Sequence, residues 1–310
     1  MRFRLLGPLT VDGSAHPLRL DGKRPRAVLA FLLMETGALL RVEQIIDAVW
    51  GESPPRTVRT QVHAQISVVR RWLRGLPDVR IVTHATGYAL KVDPSDIDVG
   101  VFRRLARQGR TLAGTGQPVA AAEAYRAALQ LHVGPPLGDI DAPFARATAA
   151  RLADERLSVL SDLMSLDLAA GRHHELIPVL STLVERHPLH EPLWCHLLVA
   201  LHRAGRRGEA IGCYHRARLL LREELGVEPG PELSGTYRSL LAADPVAAGG
   251  ADLTRTLSRL AEAERMLGEI RQQLSRLGID APTARSVSPT APPASLLSSD
   301  DGAGHEEVAA

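Results

Sequence analysis

One stretch, PPRTVRTQVHAQISVVRRWLR at residues 54–74, constrains the fold more than any other. At 3.6 residues per turn, Val58, Val62, Ile66, Val69 and Leu73 fall on one face, and Arg56, Arg59, Thr60, His63, Ser67, Arg70 and Arg74 on the other. The first face demands a core. The second suits either water or a polyanion. Pro54 and Pro55 precede the first turn and Gly75 follows the last basic residue, so start and stop signals agree with a helix of about five turns.

The flanking pattern decides between the two readings. The KRPR run at residues 23–26 opens a helix reaching to about Glu35, with Pro25 in a first turn where its missing N–H costs nothing. Val42, Ile45, Ile46, Val49 and Trp50 follow helical spacing in a second helix that ends at Gly51. Residues 79–82 and 87–92 are β-type runs joined by 83–86, and residues 2–20 read as short strands broken at Gly7-Pro8 and Asp12-Gly13. Three helices and a hairpin make a winged helix, in which the third helix enters the DNA major groove and the hairpin approaches the backbone. Lys23, Arg24 and Arg26 at a helix N-terminus then read as a phosphate clamp. Arg71 at the end of the third helix, with His84 and Thr86 at the hairpin tip, completes the candidate DNA-binding set.

Charge supports this only when divided along the chain. The net charge of the 310 residues is +2, but residues 1–92 hold 14 Lys and Arg against 7 Asp and Glu, residues 93–243 hold 17 against 18, and the remainder 6 against 10. An acidic polymer is the expected partner of the first segment alone. Two cysteines, Cys195 and Cys213, make no disulfide framework. The first apolar run is too short for a signal peptide and none approaches the ~20 residues of a membrane span, so a cytoplasmic, nucleoid-associated protein with no membrane partner is expected.

From 94 to about 243 the pattern is helical. The GRHHEL run at 171–176 echoes GRRGEA at 205–210, a shift of 34 residues, which is the period of a tetratricopeptide-type hairpin; Tyr125 and Tyr214 each fall nine residues after a glycine, Gly116 and Gly205. Further on, Leu253, Leu260, Leu267 and Leu274 recur at sevens, with Ile270 among the residues three positions later. These five are candidate dimerisation residues if the segment is a coiled coil; a single amphipathic helix is the other reading. The expectation is a mostly α chain with a small β component. Residues 1–93 form a winged helix-turn-helix domain, 94–243 an all-α tetratricopeptide-like domain, 244–278 a linker and amphipathic helix, and 279–310 a disordered tail.

Residues 1–243 also resemble a known family. MRFRLLGPLTV, DGKRPRAVLAFLL, AVWGESPPRTVRTQVHAQISVVRRWL, TGYAL, GRHHELIPVLSTLVERHPLHE, AGRRGEAIGCYHRAR and EELGVEPGPEL are similar to segments of the Streptomyces antibiotic regulatory proteins. That resemblance implies an OmpR-like winged helix joined to a bacterial transcriptional activation domain. It implies an activator that binds tandem direct repeats in double-stranded promoter DNA and recruits RNA polymerase partly through its σ factor; a homodimer on the DNA is expected beside it. Arg59 matches the family's arginine in the first turn of the recognition helix, and Arg70 and Arg71 its closing basic pair. Val68 and Ala89 stand where relatives often carry arginine, which would weaken phosphate contact or shift it to Arg80, His84 and Lys91.

Other chemistry finds little support. Cys195, His196, His202, Cys213 and His215 lie close in sequence, but their spacing fits no compact zinc pattern, so no metal or cofactor is expected. A nucleophile elbow and a G-x-x-x-x-G-K-[ST] loop are absent as patterns, and no enzyme is expected. The alternative from another class is a protein-interaction scaffold that does not bind specific DNA.

Overall fold

The computed structural model describes residues 3–11, 20–76 and 78–242, which belong to one compact unit. The heptad segment, its dimerisation candidates and the tail lie outside the described residues.

The N-terminal part begins with a two-stranded antiparallel sheet of β1 (Phe3–Arg4) and β2 (Thr10–Val11). Three helices follow: α1 (Lys23–Met34), α2 (Val42–Trp50) and α3 (Val58–Leu73). The apolar stripe of α3 is buried at all five expected positions. At about 1.5–3 kcal/mol for each fully buried aliphatic side chain, this burial holds the helix far better than its β-branched residues would alone. The hairpin, β4 (Arg80–His84) and β5 (Gly87–Lys91), turns on only Ala85 and Thr86, so β4 runs two residues beyond the expected strand. A short strand β3 (Leu40–Arg41) pairs with β5 and makes the order β3-β5-β4, which local pattern does not announce. Gly87 permits that pairing: a Cβ there would sit 1.9 Å from the Leu40 carbonyl oxygen.

The remainder is helical: α4 (Asp98–Gly114), α5 (Pro118–Leu129), α6 (Pro143–Ala169), α7 (His173–Arg186), α8 (Glu191–Arg203), α9 (Arg207–Leu225) and α10 (Pro231–Ala242). Hairpins α4–α5 and α8–α9 and the α6–α7 junction turn at Gly116, Gly205 and Gly171, all in the left-handed region at φ +73°, +73° and +82°. The echo therefore has three structural copies. Arg103 and Arg110 of α4 reach Glu155 and Asp162 of α6 at 2.8 and 3.0 Å, a ladder with a seven-residue step on both helices.

The two parts interlock. Asp98, at the start of α4 and 1% exposed, accepts backbone N–H groups from Leu5 and Leu6 at 2.8 Å and from Val99 at 2.8 Å. The segment between α5 and α6 continues the seam: Val133 N–H donates to the Leu6 carbonyl and Leu137 N–H to the Leu5 carbonyl, each at 3.0 Å. Phe31 of α1 meets Phe144 of α6 edge-on, with centroids 5.1 Å apart.

Candidate nucleic-acid interface

The outer face of α3 presents Arg59, Thr60, His63, Ser67, Arg71 and, just past the helix end, Arg74 to solvent, with Arg56 exposed in the turn before it. That turn is set by side chains. Trp50 Nε1 donates to Gln61 Oε1 at 3.3 Å, and Gln61 Nε2 donates to Thr57 Oγ1 at 3.2 Å. Arg59 is 67% exposed, with its guanidinium 2.6 Å from the Glu43 carboxylate at the start of α2. Its own backbone hydrogen bond and the Arg59 pair hold the Glu43 carboxyl below its ordinary value. The arginine is thus oriented by a partner that nothing buries, and it can be released at small cost.

The wing is fastened to this helix at two points. Arg70 is half-buried; it donates to the Ile81 carbonyl at 3.2 Å and to Thr83 Oγ1, and its guanidinium lies 5.6 Å from the Tyr88 ring centroid. His63 Nδ1 and the Tyr88 hydroxyl are 2.6 Å apart. Of the expected residues, α3 and the wing therefore bring together Arg59, Thr60, His63, Ser67, Arg70 and Arg71, with His84 and Thr86 exposed at the tip and Arg56 and Arg74 at the two ends. Arg70, expected on the outer face, has its guanidinium engaged with β4 instead. Tyr88 joins the site without having been expected there; its place in the TGYAL run is visible in sequence, but its approach to α3 is not local. Val68 is exposed on the same face, whereas Ala89 is buried in β5 rather than at the tip.

The α1 terminus is placed differently. Arg24 donates to the Val49 carbonyl and stacks over Trp50 at 5.2 Å, which closes the C-terminus of α2. Arg26, 26% exposed, donates to the Leu9 carbonyl at 3.0 Å and pairs with Asp139. Lys23 meets Asp141 at 3.2 Å, with both side chains largely exposed. Arg24 and Arg26, expected to clamp phosphate, instead turn toward the protein, Arg26 because Asp139 arrives from more than a hundred residues away, whereas Lys23 stays largely exposed.

Among the described residues no three His, Cys, Asp or Glu side chains converge on a metal-sized site, and no helix is long and apolar enough to cross a membrane. Cys195 and Cys213 are buried, and burial raises both thiols to about 11, so they pack as small apolar groups.

Comparison with known proteins adds to this geometry. The family described as "Bacterial transcriptional activator domain" matches residues 97–241. The regulatory protein DnrI of Streptomyces peucetius is 36% identical over 254 residues, covering 79% of this chain and 93% of DnrI. The transcriptional regulator RedD of Streptomyces coelicolor is 33% identical over 254 residues, 79% of this chain and 72% of RedD. The structure of Mycobacterium tuberculosis EmbR in complex with a low-affinity phosphopeptide superposes with a TM-score of 0.74 at 30% identity, covering 85% of this chain and 70% of that one.

Proposed function

The chain belongs to the Streptomyces antibiotic regulatory protein family of transcriptional activators, and we propose that it binds tandem direct repeats upstream of antibiotic or other secondary-metabolite promoters through α3 and the wing. The observation that carries this reading is the exposed basic face of α3 held in fixed register with the hairpin by Arg70 and Tyr88. Arg59, Thr60 and His63, in the first turns, face base edges, where an arginine can meet guanine O6 and N7 together. Arg56, Arg71, Arg74 and the tip residues His84 and Thr86 meet phosphate; Arg70 positions the wing.

On direct repeats two copies sit head to tail on one face of the duplex, a homodimer formed on DNA that needs no symmetric interface. The stacked helical hairpins then offer a surface to RNA polymerase, including its σ factor. The reading is non-catalytic and places the protein at the nucleoid in the cytoplasm. Selection of the full chain against a random duplex pool tests it. Enrichment of a tandem repeat supports specific binding, whereas no enrichment together with salt-insensitive binding refutes it and leaves the interaction scaffold.

A further inference from the structure

A cleft of about 700 Å³ lies between α6, α7 and the segment at 132–136, remote in sequence from the DNA-facing elements. This volume falls within the ~300–1,000 Å³ of small-molecule sites. Its walls are apolar, with Leu157 and Leu160 from α6 facing Leu183 from α7, and Ala153 on the α6 side. Its charge has one sign: Arg156 and Arg186 line it, and among the lining residues none is a carboxylate. Elsewhere in the helical part Arg103, Arg110, Arg126 and Arg172 pair with Asp or Glu. Neither Arg156 nor Arg186 has an ion pair among the described residues. His132, also lining the cleft, has a buried Nε2 without a protein hydrogen-bond partner. Two such guanidinium groups beside an apolar trough are matched by a ligand with an apolar body and an anionic head.

We infer that this cleft is a binding site for a small apolar carboxylate or phosphate, its anionic group held by Arg156 and Arg186 and its body laid against Leu157, Leu160 and Leu183. The site has a direct mechanical neighbour. Residues 132–136 form its wall, and the same segment donates Val133 N–H to Leu6, while Leu137 N–H, just beyond it, goes to Leu5. Gly7 is packed so closely on Val133 that a Cβ there would lie 2.7 Å from Val133 Cγ2. A ligand that orders this wall orders the seam to β1, and so the footing of the winged part on the helical part.

The test uses the full chain with two fluorescent probes, dansylglycine as the apolar carboxylate and dansylamide as its uncharged counterpart. Dansylglycine is expected to saturate at one site per chain, and Arg156→Gln with Arg186→Gln to weaken it about tenfold while leaving dansylamide within about twofold. Ala153→Trp, which fills the trough, should abolish saturable binding of both probes with unchanged circular dichroism. Dansylglycine should also slow hydrogen exchange at the Val133 and Leu137 amides. Non-saturable binding, or saturable binding indifferent to both Ala153→Trp and the arginine changes, would overturn the site. Displacement by an acidic ten-residue peptide but not by decanoate would assign the cleft to a protein partner and overturn the small-ligand assignment. None of these readouts uses DNA, so the outcome is separate from the promoter-binding reading.

Discussion

Two clusters of basic residues in the winged part look alike in sequence and differ in situation. At the start of α1, Arg24 and Arg26 are turned onto Val49, Trp50, Leu9 and Asp139 and hold the molecule together. On α3, Arg71 and Arg74 face solvent, and Arg59 touches only an exposed carboxylate. Charge alone does not mark a nucleic-acid surface; what matters is whether the rest of the protein has already neutralised it. The difference lies in the Val49 carbonyl and Trp50, which engage Arg24, and in the Leu9 carbonyl and Asp139, which engage Arg26.

The largest expected effect is on the seam that carries the α1 cluster. Asp98→Ala leaves the Leu5 and Leu6 N–H groups buried without an acceptor, and urea unfolding should show a loss of about 3 kcal/mol or more. A loss under about 1 kcal/mol would mean the seam is not a structural joint. Next comes the DNA face. Arg59→Ala should cost about 1–3 kcal/mol on a selected site and much less on random duplex, measured by fluorescence anisotropy. Equal losses on both would move Arg59 from base reading to phosphate binding.

Arg26→Ala, by contrast, should leave DNA affinity near wild type and lower stability by about 1 kcal/mol, and a double-mutant cycle with Asp139→Ala should recover most of that as coupling. Zero coupling would break the assignment of Arg26 to the seam. The smallest effect is a pH dependence. Burial, helped by the field of Arg156, holds the His132 imidazole down to about 4, so the folded protein keeps it neutral where the unfolded chain protonates it. Its contribution is present above about pH 6.5 and lost as pH falls toward 4. Discounted for partial exposure, it amounts to about 1 kcal/mol between pH 7 and pH 5, and His132→Gln should remove it. A pH profile unchanged by that substitution would contradict it.

Much of the fold is legible in local pattern. The stripe from Val58 to Leu73 announces both the length and the buried face of α3, because helical periodicity is a property of neighbours in sequence. The 34-residue echo announces the hairpin turns, since a left-handed glycine leaves a readable mark. Strand β3 is not legible, because two residues carry no alternation and pair only through Gly87. The candidate site is legible where exposure follows from the helix face, as at Arg59, His63 and Ser67. Legibility fails for Arg24 and Arg26, and for Tyr88 and Arg70, where a partner from another element redirects the side chain.

The contrast between the clusters is tested most directly by the salt dependence of binding of the full chain to a duplex of about 30 base pairs. Each phosphate that is no longer neutralised lowers the log–log slope by about 0.9, so Arg71→Ala with Arg74→Ala should reduce it by about 1.8, and Arg24→Ala with Arg26→Ala should leave it unchanged. The reverse result, a slope that falls with the α1 pair and holds with the α3 pair, would contradict the account and return the phosphate clamp to the start of α1.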